Sequence, residues 1–383
     1  MLLLLTLCSF AANLGGRYFD PLVTAIARDF LAPTTVVALL SSAFTLPFGL
    51  GQPILGPLGD SLGKPIVFKV CFWILGAALV ASIVATSLPL LFASRIVAGF
   101  AAGGLIPLGL AMLGDMKAPA ERPVAFARFA SGAIIGQILG LTAAGALAGV
   151  IGWRYALIFP AAMAVISAAA ATWRLPNLTS AAREPLRLAS ALTRYALVFR
   201  NPQTPICYAT VFIEGVIIYG SLPFVVELLE QTHRGGPTEA GLVVAGIGLG
   251  CILMSFAIGP AVRWLKPDGM MRVGGVIAAL GFLGVAFGTQ WWIEMVFFTV
   301  VGFGFFMIHN PLQNRVMELA PTARGSAVAF HYFSFFMGQA AGPLVFGALL
   351  AYSNATASYL VSAVVIGLTG LLCVAGLRTA ARS

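Results

Sequence analysis

Residues 66–87 read IVFKVCFWILGAALVASIVATS, an apolar run in which Lys69 is the one charged residue. About 20 apolar residues in an α-helix cross the hydrocarbon core of a bilayer. Such runs recur along the whole chain of 383 residues, of which 60% are hydrophobic and 9% are charged. A soluble protein carries about 25% charged residues, and a transmembrane β-barrel shows alternation in segments of about 10 residues. The sequence therefore predicts an all-α membrane protein with many spans.

Twelve such runs divide the chain, and one longer polar stretch separates the first six from the last six. We predict spans 1 to 12 at 2–26, 36–57, 66–87, 89–114, 125–149, 154–173, 204–229, 239–262, 270–290, 292–314, 326–350 and 355–377. The polar stretch is rich in arginine and suits either the surface of an anionic leaflet or a solvated linker. The predicted organisation is an N-terminal six-helix bundle at 1–173, a cytoplasmic linker at 174–203 and a C-terminal six-helix bundle at 204–383.

The basic residues are distributed asymmetrically across the predicted membrane. With the N-terminus inside, the cytoplasmic loops hold 17 of the 22 Lys and Arg residues, and Arg17 and Arg95 lie within spans. Because cytoplasmic loops carry an excess of Lys and Arg, we expect both termini in the cytoplasm and a bacterial cytoplasmic membrane as the location. The net charge of +9 lies in short loops rather than on one face, which excludes nucleic acid as an expected partner. The expected partners are lipid and a small-molecule substrate, and the chain is expected to be a monomer.

The two halves of the chain repeat each other at a constant offset of 202 residues. The matches include Pro21 with Pro223, Arg122 with Arg324, and Gly136-Gln137-x-x-Gly140 with Gly338-Gln339-x-x-Gly342. Chance matches are common in a chain rich in Gly, Ala and Leu, but matches at one constant offset in both loops and helices are hard to explain by composition. Two parallel six-helix repeats are an architecture of secondary transporters, and the polar members of the motif, Gln137 and Gln339, are candidate substrate-binding residues.

A glycine-rich loop joins spans 2 and 3. It reads Gly56-Pro57-Leu58-Gly59-Asp60-Ser61-Leu62-Gly63-Lys64. Its glycines permit a tight turn, Asp60 can meet a helix N-terminus, and Lys64 can meet the anionic leaflet. The loop resembles the G-x-x-x-D-R/K-x-G-R/K-R/K signature of the major facilitator superfamily, with Ser61 replacing the first basic residue and Pro65 the last. The resemblance implies a conformational-switch motif formed by Gly56, Asp60, Gly63 and Lys64.

Two further motifs resemble the drug and metabolite exporters of that superfamily. Span 4 carries Arg95-x-x-x-Gly99-x-x-x-Gly103, which looks like their R-x-x-x-G-x-x-x-G motif, and span 1 carries Asp20-Pro21. Span 5 departs from the pattern, because Gln137 stands where the antiporter signature G-x-x-x-G-P has proline. The resemblance covers the whole chain and implies twelve helices in two pseudo-symmetric bundles, with proton antiport. The missing proline leaves the direction of transport open.

Three charged residues of the first half, Arg17, Asp20 and Arg95, lie six or more residues from the nearest end of their predicted spans. Such charges are rare in a bilayer and mark functional sites by default. Asp20 and Arg95 lie about 9 Å below the outer boundary, and Arg17 shares the helix face of Asp20. If spans 1 and 4 adjoin, as the resemblance implies, one acid and two arginines form a layer. That layer is either a fixed ion pair or a switched site, and its excess positive charge favours an anionic group on the substrate.

The second half contains its own set of intramembrane polar residues. Glu214 lies about ten residues into span 7, with no intramembrane cation expected in its half. An unpaired carboxylate in a low dielectric is easily protonated, as proton coupling requires, although a neutral, hydrogen-bonded acid is the alternative. The other members, on spans 10 and 11, are His309, Asn310, Gln313 and His331. Histidine protonation follows physiological pH, whereas a purely structural role would be hydrogen bonding between helices. No metal site is predicted.

These features favour a secondary active transporter of a small organic solute that works by alternating access. Export in exchange for protons is the leading hypothesis, with the proton as coupling ion and no other cofactor. The alternatives are a proton-coupled importer of an anionic metabolite or siderophore-like compound, and a transporter-like solute sensor. The chain has no G-x-S-x-G, H-E-x-x-H or P-loop element on a plausible scaffold, so we expect neither an enzyme nor an ATP-driven pump.

Overall fold

The computed structural model describes residues 1–118, 121–175, 196–320 and 323–380, and within them all side chains except those of 60, 122–124, 127, 324 and 325. The described residues form α-helices and short 3-10 turns, with no β-strand. The chain divides into two compact units, Met1–Leu186 and Arg187–Ser383. Their boundary falls within the segment predicted as the linker, 174–203, most of which lies outside the described residues.

The first unit supplies spans 1 to 6. Its helices are α1 (Leu2–Leu14), α2 (Val23–Asp29), α3 (Thr34–Val37), α4 (Leu39–Leu62), α5 (Lys64–Ile83), α6 (Leu88–Met116), α7 (Arg122–Ile151), α8 (Trp153–Ala156) and α9 (Ile158–Arg174). A 3-10 turn, Asp20–Leu22, precedes α2. Helix α1 packs against α7, α4 packs against α6, and α5 packs against both α6 and α9.

The second unit supplies spans 7 to 12. Its helices are α10 (Thr204–Gly220), α11 (Val225–Gln231), α12 (Pro237–Ala286), α13 (Trp291–Glu318), α14 (Arg324–Tyr352) and α15 (Ala355–Ala380), and a 3-10 turn, Leu222–Phe224, precedes α11. Helix α10 packs against α14, and α12 packs against α13 and α15.

Helix α12 is two spans joined without a loop. It contains 50 residues, which is about 75 Å of helix and more than twice the hydrocarbon thickness. The backbone leaves the helical region at Lys266, with φ 57° and ψ 165°. Spans 8 and 9, predicted at 239–262 and 270–290, therefore meet at a single residue, and the connection is shorter than the sequence suggested.

The predicted twelve-helix, all-α membrane fold is confirmed. Ten helical segments of the described chain are long and apolar enough to cross a membrane, and α1 is a shorter apolar helix. One of those ten segments is α12, which supplies two spans, and α1 is continued by α2. The described helices therefore account for twelve spans, six in each unit.

The repeat is visible in backbone detail. The two 3-10 turns, and the helices α2 and α11 that follow them, correspond residue for residue at the offset of 202. Leu31 and His233 correspond at the same offset, and their φ angles are 51° and 52°. Because a non-glycine residue with positive φ is uncommon, this shared feature shows that the two bundles follow one backbone template.

Glycines allow close approach between the helices of each unit. A Cβ built on Gly338 of α14 would lie less than 3.0 Å from the carbonyl oxygen of Phe212 on α10. A Cβ on Gly136 of α7 would meet the Phe10 carbonyl of α1 in the same way. Helix association in lipid depends on such small-residue contacts. The Gly-x-x-x-Gly part of the span 5 motif is therefore a packing seam in this fold.

Candidate functional site

Span 1 is interrupted, and a buried arginine from span 4 fills the interruption. Residues 15–19 form turns outside any helix. Arg95 of α6 is fully buried, and its guanidinium donates to the carbonyl oxygens of Gly15 at 3.2 Å and Gly16 at 3.0 Å. Its Nε–H reaches the Leu40 carbonyl at 3.4 Å. Carbonyl groups that leave a helix inside a bilayer need such partners, so Arg95 stabilises the interrupted backbone.

Two aromatic rings enclose the same guanidinium. Its central carbon lies 4.2 Å from the ring centroid of Phe19 and 4.3 Å from that of Phe44. Cation–π attraction is strongest where the cation is desolvated. Arg95 is thus held by both its charge and its donors, and this geometry weakens the case for Arg95 as a ligand of a substrate anion.

Asp20 and Arg17 form a second buried group beside the interruption. Arg17 Nη1 lies 3.6 Å from Asp20 Oδ2, and Ser41 Oγ donates to Asp20 Oδ1. Spans 1 and 4 adjoin, as expected, but Asp20 pairs with Arg17 while Arg95 bonds to the backbone. The three side chains therefore form one electrostatically coupled layer, in which Arg17 makes the ion pair with Asp20 and Arg95 makes the bonds to the backbone.

Arg95→Lys should destabilise the protein although the positive charge remains. An ammonium group cannot reproduce the planar fork of donors, and each buried carbonyl left without a partner costs about 1–3 kcal/mol. We expect the thermal unfolding midpoint of the detergent-purified protein to fall by about 5 °C or more. Arg128→Lys, at an exposed position of α7, is the matched control. Equal midpoints for both variants would show that Arg95 does not support the interruption.

The second unit contains a carboxylate and two histidines packed as one cluster. His309 Nδ1 on α13 lies 2.8 Å from Glu214 Oε2 on α10, and the ring of His331 on α14 lies 5.1 Å from the ring of His309. Glu214 and His331 are fully buried, and His309 is 8% exposed. Glu214 was expected to be an unpaired carboxylate, and that expectation is wrong, because helix packing brings His309 to it from a distant part of the chain.

Aromatic rings surround this cluster. The rings of Phe305 and Phe335 lie 5.1 and 4.9 Å from the His309 ring. Glu214 Oε1 and both ring nitrogens of His331 are buried without a hydrogen-bond partner among the described residues. Buried polar atoms are nearly always bonded, so these exceptions distinguish the cluster from ordinary packing. No three His, Cys, Asp or Glu residues of the described ranges are arranged to hold a metal ion.

The predicted amide residues divide between the two units. On α13, Gln313 Nε2 donates to Tyr332 Oη at 2.7 Å, and Asn310 is partly exposed. Gln137 is partly exposed near the middle of α7, whereas Gln339, at the equivalent position of α14, is buried. The structure thus groups Asn310 and Gln313 with the Glu214 cluster on neighbouring turns, while Gln137 belongs to the first unit.

The loop motif forms the turn between α4 and α5. Gly63 has φ 103°, a conformation open to glycine and rare for other residues. Lys64 Nζ lies 2.7 Å from Asp115 Oδ2 at the end of α6, so the lysine expected to meet the anionic leaflet forms an ion pair with a carboxylate of its own unit. Gly56 and Asp60 lie on α4, and the side chain of Asp60 is outside the described set.

Three interacting residues were not identified from the sequence. They are Ser41, Asp115 and Glu294, of which Glu294 is 5% exposed and accepts from Arg234 Nη1 at 2.6 Å. Glu294 lies within predicted span 10, and an acid inside a span is the signal that could have identified it. Ser41 and Asp115 carry no comparable signal, because a serine in a span and an acid at a span end are both common.

Comparison with known proteins identifies the family. A family model described as Major Facilitator Superfamily matches residues 5–325. This chain belongs to the Major Facilitator Superfamily. Two relatives of this Major Facilitator Superfamily chain are the inner membrane transport protein YdhP of Escherichia coli strain K12 and the MFS transporter eqxG of Fusarium heterosporum. The first is 26% identical, over 91% of this chain and 88% of YdhP. The second is 24% identical, over 94% of this chain and 79% of eqxG.

Solved structures share the fold of this superfamily member at low sequence identity. A mutant of the nucleoside transporter NupG has a TM-score of 0.80 and 17% identity, over 98% of this chain and 99% of NupG. A bacterial homologue of the human lysosomal transporter Spinster, inward-facing and unoccupied, has a TM-score of 0.77 and 16% identity, over 100% of this chain and 96% of that one. The chain is a multi-pass membrane protein of a family that moves small solutes by secondary transport, and its family and fold indicate a transporter.

Proposed function

We propose that this transporter exports a small organic solute in exchange for protons, and that Glu214 and His309 carry the coupling proton. The observation that carries the proposal is the 2.8 Å contact between Glu214 Oε2 and His309 Nδ1 within a buried aromatic surround. A carboxylate and an imidazole in contact are a common means of transferring protons in membrane carriers. The proposed location is a cytoplasmic membrane, with both termini inside.

The charge of the Glu214–His309 pair changes by one unit with each proton. Without a bound proton the pair carries one negative charge; with one it is neutral overall, and with two it carries one positive charge. Uncompensated charge in a low dielectric is unfavourable. A conformational state that admits water to the pair therefore stabilises the charged forms relative to a state that excludes water. A proton gradient can then shift the population between the two states.

Two further titratable groups face this pair within the described residues. His331 of α14 lies beside His309, and the Cys373 thiol of α15 interacts electrostatically with Glu214. Protonation of both imidazoles would place two positive charges close together, which is unfavourable.

Export is supported by the motifs of the first unit. Arg95 of the exporter-like span 4 motif contacts the interruption of span 1, which also carries Asp20-Pro21. The importer alternative was motivated by the missing span 5 proline and by the two arginines Arg17 and Arg95. Arg95 donates to backbone carbonyls and Arg17 Nη1 lies 3.6 Å from Asp20 Oδ2, which favours export over import of an anion.

Solute-driven proton movement tests the proposed function. Inverted membrane vesicles containing the protein are acidified inside by respiration, and an acridine dye reports the internal pH. Solutes from a library that includes ethidium and benzamide are then added, with vesicles lacking the protein as control. Exchange predicts that a transported solute makes the interior less acidic. Uptake of a labelled solute without any proton movement would contradict the proposal.

A further inference from the structure

One face of α13 presents amide side chains at the surface of the second unit. The residues of this face, called here the amide stripe, follow at intervals of three or four and are Phe303, Phe306, Asn310, Asn314 and Met317. All five are at least partly exposed. The Glu214 partner His309 lies on the adjoining, buried face of the same helix. Asn310 of the stripe therefore lies on the same turn of α13 as His309 of the proposed coupling pair.

Within the described part of the chain, the side-chain amides of the two stripe asparagines make only a long contact with each other. Asn310 lies about 12 Å from the end of α13 at Glu318, within the apolar span. The contact from Asn314 Nδ2 to Asn310 Oδ1 is 3.5 Å, which is longer than a good hydrogen bond. Polar side chains within spans face a bundle interior or a water-filled cavity rather than lipid. The amide stripe is therefore a surface for water or for a polar ligand.

Helix packing in the repeat does not require these amides. At the offset of 202, Asn310 and Asn314 correspond to Leu108 and Met112 of α6. Leu108 and Met112 are 1% and 5% exposed, so they are packing residues. The same helix position is thus apolar and buried in the first unit but polar and partly exposed in the second. This difference indicates a role specific to the second unit.

We propose that the amide stripe binds the neutral, hydrogen-bonding group of the transported solute, such as an amide, lactam or hydroxyl on an aromatic body. The inference rests on the proposed transport function. A carboxamide offers two donors and an acceptor but no charge, so it can pair fully with a neutral amide and cannot compensate an ion. Met317, which is exposed beyond Asn314, can pack against the apolar body. The exposed part of Phe306, whose ring also packs against Met254, Met270 and Met307, can contact it on the other side of the asparagines.

The charged residues near this end of α13 do not favour an ion. Arg315 and Glu318 have opposite signs, and Arg315 Nη1 donates to Gln203 Oε1 at 3.4 Å, away from the stripe. Gln313 is oriented by its bond to Tyr332, which leaves Asn310 and Asn314 as the adaptable amides. Hydrogen-bonding capacity, rather than charge, is therefore what the stripe offers.

Three isosteric probes test the inference: benzamide, benzoate and benzamidinium, which share a shape and carry charges of 0, −1 and +1. Binding to the purified full chain in nanodiscs is measured by saturation-transfer NMR titration at pH 7.5. Benzamide should bind at least ten-fold more tightly than either ion. Asn310→Leu and Asn314→Leu should weaken benzamide at least ten-fold. Gln231→Leu, which changes an exposed amide on α11, should leave benzamide binding unchanged.

A charge exchange at the exposed position keeps the test independent of folding. Asn314→Asp adds a carboxylate of nearly the same size, so it should reverse the preference from benzamide to benzamidinium. Charged probes that bind wild type as tightly as benzamide, or leucine variants that bind benzamide like wild type, would overturn the inference. So would a shift from dimer to monomer in the leucine variants, since the amides would then join two copies of the chain.

The outcome is separable from that of the proposed function. Benzamide binding is an equilibrium measurement that needs no proton gradient, and Glu214→Gln protein should still bind benzamide preferentially. Failure of proton exchange with intact benzamide selectivity would reject the coupling proposal alone. Intact proton exchange with no preference for benzamide would reject the amide-stripe inference alone.

Discussion

Glu214→Gln should abolish proton-driven accumulation of solute and leave solute exchange at equal pH measurable. Glutamine keeps the size of the side chain and can still hydrogen-bond His309 Nδ1, so the packing between α10 and α13 is retained. The amide of glutamine cannot gain or lose a proton, so the charge of the pair can no longer change at position 214. Reconstituted proteoliposomes give both quantities: accumulation under an imposed pH gradient, and exchange of labelled solute without one.

The matched control is Glu318→Gln, which neutralises an exposed carboxylate at the end of α13. We expect its proton-driven accumulation to equal that of wild type. Unchanged proton movement per solute in the Glu214 variant would show that another group carries the proton, with His331 and Asp20 as the next candidates. Asp20→Asn differs in kind, because it removes the partner of Arg17 and should weaken exchange as well as accumulation.

Gly338→Ala should reduce the yield of folded protein by an order of magnitude. The added Cβ would lie less than 3.0 Å from the carbonyl oxygen of Phe212, which belongs to the backbone of α10 and cannot rotate away. The two helices would have to move apart along the seam that also holds Glu214 against its neighbours. Overpacking in a well-packed interior typically costs about 1–3 kcal/mol, and more where backbone must move. Size-exclusion chromatography of the detergent extract measures the folded fraction.

Gly259→Ala is the control for this substitution. A Cβ at Gly259 of α12 would have no neighbour within 4 Å, and alanine is a better helix former than glycine. Folded yield should therefore equal or exceed that of wild type. If both variants were recovered equally, the close approach of α10 and α14 would not be a requirement of the fold.

Composition and periodic hydrophobicity were sufficient to predict the membrane class, because the bilayer imposes its thickness on each helix separately. The repeat at 202 was also readable, since corresponding turns need similar residues at similar places. The interruption of span 1 at residues 15–19 was not predicted, although Gly15-Gly16 and Pro21 stand there. A continuous helix was an equally good interpretation until the partner for the freed carbonyl groups was known.

That partner is Arg95, whose role the sequence alone could not assign. The sequence identified Arg95 as a buried charge on span 4 but could not distinguish a substrate ligand from a donor to the backbone of span 1. The choice depends on hydrogen-bond distances of 3.0–3.4 Å to three carbonyls. Only the packing of α6 beside the interruption determines those distances.

For the proposed coupling site, too, the sequence determined one part and the tertiary structure the other. The sequence by itself identified Glu214 and His309 as intramembrane and ionisable, because an ionisable residue within an apolar run is conspicuous whatever its partner. The tertiary structure alone decided that these two side chains meet, since they lie 95 positions apart and no helical or strand period connects them. Their contact results from the seam between α10, α13 and α14, and hydrogen bonding acts over about 3 Å of space, irrespective of separation along the chain.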